Sequence, residues 1–467
     1  MISFNSVAYL LFLSAVVAIY WKLNRDNQNR LLLAASYLFY GSWDWRFLFL
    51  IFTSTAFDFY VGKRIHAALT QRERKAYLIT SLVFNVGLLC FFKYINFFTG
   101  SMTALLRTLG FDVPAIYLDI ILPIGISFLT FQTMSYPIDI YRKKIAPEPS
   151  LRDFALFLVF FPQLVAGPIE RAAHLLPHIT RERTFGRRKM RVGIELILWG
   201  LIKKVFIADN IAYYVNIIFD LTNPSTLMIA VGTLGFGIQI FSDFSAYSDI
   251  ARGSGRLLGF DLVKNFHAPY LSRNIIQFWK RWHISLSLWI RDYIYIPLGG
   301  NRCSPTRNFR NLFVTWFLCG LWHGASWHFV AWGLYHGMLI GLYRAVQRAH
   351  PARELPKNLS IAATFLAVTA GWLLFRIDSI AALGRYFSPE TLSASGRDIG
   401  PALLVLLLFL FYCLPYLLSA ARKRWKLFFP SGPFVPWDLR LLRMVLLILI
   451  LVVFWEGPHS DFIYFQF

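Results

Sequence analysis

Six stretches of this chain carry no charged side chain over a length close to that of a membrane crossing. They are residues 1–21, 76–92, 120–138, 221–242, 359–375 and 399–421. A helix needs about 20 predominantly apolar residues to cross a hydrocarbon core about 30 Å thick. Only helices and closed barrels can cross, because backbone N–H and C=O groups cannot go unpaired in hydrocarbon. Barrel strands alternate apolar and polar residues, and these runs do not alternate. The pattern predicts an all-α, polytopic membrane protein. Composition agrees: 57% of residues are hydrophobic and 15% charged, where an ordinary soluble chain carries about 25% charged residues. Lipid must cover surface that polar side chains do not.

Residues 1–21 lack the charged n-region and small-residue cleavage site of a secretory signal, so they are expected to stay as a first span. The net charge of +22 is not read as nucleic-acid binding. The cations stand in short loops beside the apolar runs, at residues 25–30, 63–75, 142–144, 181–191, 344–357 and 422–426. That is the positive-inside arrangement and predicts cytoplasmic loops. Such loops also suit anionic lipid headgroups or an anionic thioester donor. With them inside, residues 41–46, 94–119, 209–220, 377–398 and the tail after 455 are expected on the opposite face. No linker or internal repeat divides the chain, so residues 1–467 are expected to form a single integral membrane domain of about eleven spans. Cys90, Cys303, Cys319 and Cys413 show no metal-ligand or redox spacing and read as small buried apolar residues.

One segment does not fit simple crossing. Residues 311–343 run for 33 positions without Asp, Glu, Lys or Arg, yet arginines flank both ends. One straight helix of this length would reach about 50 Å, while two full spans need about 40 residues. A short re-entrant hairpin is expected, turning at Gly320-Leu321-Trp322-His323-Gly324, with about 15 Å of helix from Asn311 to the turn. His323 would then lie near mid-membrane, where irregular backbone needs a surrounding cavity. An ionisable residue at that depth is a functional candidate. The competing reading for any one histidine is a neutral ring bonded to a backbone carbonyl. His328, Trp332 and His336 follow at spacings of four on one helical face. They read as a polar lining or a packing stripe.

Residues 278–300 (FWKRWHISLSLWIRDYIYIPLGG) are too short and too charged to span and suit an interfacial amphipathic helix. As one helix they would put Trp279, His283, Leu286, Ile290 and Tyr293 on one face. Lys280, Arg281, Ser287, Arg291 and Asp292 would take the other. No P-loop, H-E-x-x-H or nucleophile elbow occurs, and Gly253, Gly255 and Gly259 suit close packing better than nucleotide binding. No metal site is expected, since no Cys or carboxylate stands among His323, His328 and His336. Histidine as a general base on a hydroxyl is what remains.

Several segments together resemble the membrane-bound O-acyltransferase family, in the bacterial branch typified by the alginate O-acetyltransferase membrane subunit. They are Pro123-Ile124-Gly125-Ile126-Ser127-Phe128, Phe161-Pro162-Gln163-Leu164-Val165-Ala166-Gly167-Pro168-Ile169, Phe241-Ser242-Asp243-Phe244-Ser245-Ala246-Tyr247-Ser248-Asp249-Ile250-Ala251, residues 278–300 and Leu321-Trp322-His323-Gly324. The resemblance implies a ring of tilted helices, with re-entrant and interfacial pieces, around a central cavity. It implies His323 as the catalytic histidine and His283 as a second active-site residue. Trp322, His336, Trp279, Arg291 and Asp292 are the candidates for substrate contact. The implied reaction moves an acetyl group from a cytoplasmic thioester, acetyl-CoA or an acyl carrier, onto an extracytoplasmic polysaccharide. A periplasmic SGNH-type acetyltransferase is the implied partner and the inner membrane the implied location. No cofactor is expected beyond the donor itself. Two rival readings remain at this stage: a flippase for an acylated intermediate, and a scaffold for a periplasmic transferase.

Overall fold

The computed structural model describes residues 2–164, 167–351, 355–418 and 437–463. Val165, Ala166, Arg353, the basic loop at 422–426 and the end of the apolar run at 419–421 lie outside the described residues. Among the described residues every regular element is a helix. Three helices among the described residues are long and apolar enough to cross a membrane: Gln71–Thr108 with 38 residues, Thr226–Leu257 with 32 and Lys357–Arg376 with 20. Pro389–Gly396 and Ile399–Tyr412 form a fourth candidate, bent by 78°.

Local chemistry explains where helices depart from the apolar runs. The run at 1–21 yields only Val7–Tyr20, because Ser6 is an N-cap whose side chain accepts from the Tyr9 N–H at 3.1 Å. The run at 120–138 starts its helix at Ile126. Pro123 has no N–H to donate, and Gly125 holds φ 73°, a left-handed turn that favours glycine. The run at 76–92 does not end in the polar stretch expected from Tyr94. The helix passes through a π-helical segment, Cys90–Tyr94, and continues as Ile95–Thr108. The expectation of a loop there is corrected as far as Thr108.

The chain forms two compact units, each assembled from separate stretches of sequence. The first holds residues 1–194, 251–267 and 282–326. Within it, helix Gln71–Leu89 begins at a capping box in which Thr70 and Glu73 satisfy each other's backbone N–H groups. Buried Asp58 on Arg46–Ala67 accepts from the Ser81 hydroxyl and, at 2.8 Å, from Asn85 Nδ2. One turn further on, a Cβ at Gly62 would stand 2.6 Å from the Tyr136 ring. The absence of a side chain at Gly62 is what lets Arg46–Ala67 approach Ile126–Tyr141 so closely.

The second unit holds residues 195–250, 268–281 and 327–467. Another π-helical segment, Ile202–Ala208, carries two buried lysines. Lys204 Nζ meets Asp209 Oδ1 at 2.8 Å and Asp243 Oδ1 at 3.0 Å, and donates to the Ser460 carbonyl at 2.7 Å. Asp243 also accepts from the Ile463 N–H at 2.7 Å. Lys203 pairs with Asp249 at 2.7 Å. Asp243 and Asp249, both in the Phe241–Ala251 motif, therefore anchor neighbouring chain segments.

Removing one member of a buried ion cluster leaves uncompensated charge and costs about 3–5 kcal/mol. Lys204→Met is expected to lower the thermal unfolding temperature in detergent, and adding Asp243→Asn to recover part of the loss. Paired melting curves of the single and double variants check this.

Candidate active site

Ser304 and Pro305 start the helix that carries His323. The Ser304 hydroxyl accepts from the Arg307 N–H at 3.4 Å, and proline occupies the first helical position, where its missing N–H costs nothing. The helix, Pro305–His323, has 19 residues, about 28 Å at 1.5 Å per residue. It is longer than expected because this cap lies upstream of Asn311. Gly320 is still helical, its carbonyl accepting from the Gly324 N–H at 3.4 Å. The break falls at residues 324–326, directly after His323, before Trp327–Ala349 begins. The uncharged segment is thus interrupted, as expected, but one step beyond the histidine.

Trp322 and His323 are both buried. The Trp322 indole stacks on Phe131 (5.3 Å between centroids, 20° between planes) and meets Phe128 edge-on at 5.3 Å. Its Nε1 donates to the Ser127 carbonyl at 3.4 Å. Phe131 stacks in turn on Trp289 at 3.8 Å, whose Nε1 donates to the Phe131 carbonyl at 2.8 Å. The first turns of Ile126–Tyr141 therefore form an aromatic floor. The His323 ring stands edge-on to Trp322 at 4.9 Å.

His283 reaches the same floor by a different route. Residues 278–300 do not form one helix. Ile275–Trp279 ends, a turn follows, and Ile284–Ile290 begins anew, passing into a π-helical segment, Arg291–Tyr295. Asn265 imposes the restart. Its main-chain oxygen accepts from the Ile284 N–H at 3.0 Å, and its Oδ1 accepts from the Ser285 N–H at 3.2 Å and hydroxyl at 2.7 Å. The Ser285 Oγ accepts from the Ile169 N–H at 3.0 Å. His283 is left at φ 42°, ψ 55°, a left-handed conformation that costs a non-glycine residue on the order of 1–3 kcal/mol. The fully buried imidazole lies over Phe128 (6.1 Å, 23°) and edge-on to Trp322 (6.1 Å). His283 and His323 thus both meet one indole edge-on.

The other expected contact residues divide. Trp279 and His336 meet in the second unit, with ring centroids 5.0 Å apart and Trp332 at 4.9 Å from the same imidazole. His336 is fully buried, and a Cβ at Gly371 would come within 2.8 Å of its Nε2. Arg291 and Asp292 lie in the first unit, in an ion network. Asp292 accepts from Arg291 Nε at 2.6 Å and from Arg171 Nη1 at 2.8 Å, while its main-chain oxygen accepts from Arg142 at 3.0 Å. Arg142 and Arg171 both stack over the Tyr293 ring. The carboxylate of Asp292 is thus engaged by the protein's own arginines.

Reasoning from sequence missed Lys93, Tyr94, Ser127, Phe128, Phe131 and Asn265. Lys93 Nζ donates to the carbonyls of Trp322 and His323. A lone cation inside the aromatic run Phe91-Phe92-Lys93-Tyr94-Ile95-Asn96-Phe97-Phe98 was the signal available, since a charge among lining residues at membrane depth seeks a specific partner.

A profile of the membrane-bound O-acyltransferase family matches residues 32–381. The chain is 40% identical over 388 residues to the protein named "Probable alginate O-acetylase AlgI" of Pseudomonas aeruginosa, covering 83% of this chain and 74% of that one. It is 35% identical over 380 residues to the peptidoglycan O-acetyltransferase of Helicobacter pylori, covering 75% and 71%. Similarity extends, at 28% identity over 270 residues, to the teichoic acid D-alanyltransferase of Bacillus subtilis, covering 54% and 68%.

The Asp292 network makes a prediction about pH. Burial by itself raises this carboxyl, but hydrogen bonds and charge from Arg291 and Arg171 outweigh it and hold Asp292 below the usual carboxylate range. A carboxylate depressed by folding contributes stability above its unfolded pKa, about 3.9, and loses it as pH falls through the folded value. The gap in unfolding temperature between wild type and Asp292→Asn is therefore expected to be constant above about pH 5 and to close as the medium is acidified below about 4. Melting curves across a pH series in detergent test this.

Proposed function

The chain belongs to the membrane-bound O-acyltransferase family, and from that premise we propose that it passes an acetyl group from a cytoplasmic thioester to an acceptor hydroxyl, for O-acetylation of an extracytoplasmic polysaccharide, with His323 as general base. The observation that carries this reading is the pair of buried imidazoles, His323 and His283, both edge-on to Trp322. The relatives named for O-acetylation of alginate and peptidoglycan support the acyl group and the class of acceptor. The D-alanyltransferase keeps an acyl carrier in view as donor in place of acetyl-CoA.

In this mechanism a neutral His323 nitrogen takes the proton of the acceptor hydroxyl as its oxygen attacks the thioester carbonyl carbon. The C–S bond breaks as the C–O bond forms. The proton then passes from the imidazolium to the departing thiolate, and a thiol leaves on the cytoplasmic side. Histidine suits this because its unperturbed pKa lies near neutrality. Trp322, buried against both rings, walls the site against water, which would otherwise hydrolyse the thioester. His283 orients the acceptor or the thioester. We assign His336 and Trp279, and likewise Arg291 and Asp292, to substrate contact.

The setting we propose is a single domain, residues 1–467, made of about eleven tilted spans ringed around a central cavity in the inner membrane. The basic loops face the cytoplasm, where they attract the phosphates of a nucleotide-bearing donor. A periplasmic SGNH-type acetyltransferase then completes the transfer to the polymer. Gly62 and its contact with Tyr136 support the close helix packing that such a ring needs.

Thiol release from acetyl-CoA by protein purified in detergent is the test. His323→Ala is expected to lower turnover by about 10²–10⁴-fold, the usual worth of a general base, and His283→Ala to lower it substantially. A folded His323→Ala protein that turns over like the wild type overturns the mechanism. Transfer that requires a sealed membrane gradient would favour a flippase.

A further inference from the structure

A helix that stops leaves its last four carbonyls without intrahelical partners. For Pro305–His323 these belong to Gly320, Leu321, Trp322 and His323. The Gly320 oxygen accepts from the Gly324 N–H at 3.4 Å. The other three are met by two consecutive side chains of a different helix. Tyr94 donates its hydroxyl to the Leu321 oxygen at 2.9 Å. Lys93 Nζ donates to the Trp322 oxygen at 2.8 Å and the His323 oxygen at 3.1 Å. A third donation from Nζ, at 3.4 Å, reaches Ser127 Oγ. Ser127 precedes Phe128 in the aromatic floor, and its own carbonyl receives the Trp322 indole N–H.

We infer that Lys93 and Tyr94 are a clamp that fixes the helix end bearing His323, and that Lys93 is a positioning residue for acyl transfer. The inference rests on the reading of His323 as the base. Three features carry it. Both residues lie in the π-helical segment Cys90–Tyr94, and a π-bulge is a local departure from α geometry that recurs at functional sites. The bonds are partly buried beside an apolar cluster of Leu89, Tyr94 and Ile126, against which Leu321 and Ala325 pack. Hydrogen bonds in such surroundings are strengthened, and each would be costly to leave unmade. An amine at a helix C-terminus also opposes the negative end of the helix dipole.

The clamp acts on main-chain oxygens of the catalytic histidine and its neighbour, not on the ring. Its effect is to set where the Cα of His323 sits relative to Phe128, Phe131 and Trp322, so that the imidazole has one approach to the reacting hydroxyl. A displacement of about 1 Å in a catalytic group can cost about 10²-fold in rate. Nothing in the lysine's type would specify this role on an ordinary helix. It follows from Lys93 and Tyr94, adjacent in sequence, addressing three successive carbonyls of one partner.

Four purified proteins test the clamp: wild type, Lys93→Met, Tyr94→Phe and His323→Ala. Turnover of acetyl-CoA is measured per donor-binding site, with sites counted by equilibrium binding of the same donor. Lys93→Met is expected to retain binding stoichiometry and KM within about threefold, while kcat per site falls at least about tenfold. Tyr94→Phe, which removes one bond and keeps the ring, is expected to move kcat per site the same way by about threefold or more. A loss of sites with unchanged kcat per site means a structural lysine and overturns the inference. So does wild-type kcat per site in Lys93→Met, or in Tyr94→Phe should the lysine variant not fold. If instead His323→Ala keeps full turnover, the base assignment itself has failed, whatever the clamp variants do.

Discussion

The organising constraint in this protein is that backbone polar groups must find partners where water is scarce. A continuous helix satisfies itself; an interrupted one does not. The chain interrupts its helices at the places that matter most. Pro305–His323 ends on the histidine we assign as the base, and its terminal oxygens are met by Lys93 and Tyr94. Ile284–Ile290 starts directly after His283, and its first N–H groups are met by Asn265. In both cases the groups freed by a helix end are matched by residues from a remote part of the sequence. Each histidine is thereby held from the backbone side, leaving its ring to face the aromatic floor.

That arrangement also explains how an apolar site can hold polar chemistry. The floor of Phe128, Phe131, Trp289 and Trp322 is stiff, because its rings stack and its two indole N–H groups donate to main-chain oxygens within it. Aromatic side chains give shape at low conformational cost, having few rotatable bonds. The polar groups are then few and fixed. This differs from the Asp292 cluster, where two arginines share one carboxylate and the individual pairs are partly solvated.

Much of the architecture was legible in the sequence, for a simple reason. Apolar length is a one-dimensional property, so the helical class, the apolar runs at 221–242 and 359–375 that fall largely within Thr226–Leu257 and Lys357–Arg376, and the interruption beside His323 could be read from residue order. Helix ends were less legible. Ser6 and Ser304 announce starts, and Pro123 with Gly125 announces a delay, but only where the cap chemistry is local. The restart at His283 could not be read, because the group that forces it, Asn265, lies eighteen positions upstream in sequence and acts through space. Likewise, Lys93 stands just past the uncharged run at 76–92, where residue order gives it no partner. A π-helical segment carries no residue signature of its own, so the turn that aims Lys93 inward had no mark in the sequence. The amphipathic reading of residues 278–300 failed for the same reason, since periodicity assumes the helix is unbroken.

The Lys204 cluster bears on the order in which the chain can be completed. Lys204, Asp209 and Asp243 are synthesised well before Ser460 and Ile463, which supply the last carbonyl and N–H to that cluster from up to 256 positions away. A nascent chain paused anywhere in between holds a buried lysine and two carboxylates short of their full set of partners. Closure by the tail therefore works as a late latch: the second unit reaches its final solvation-free electrostatics only after synthesis has passed Ile463.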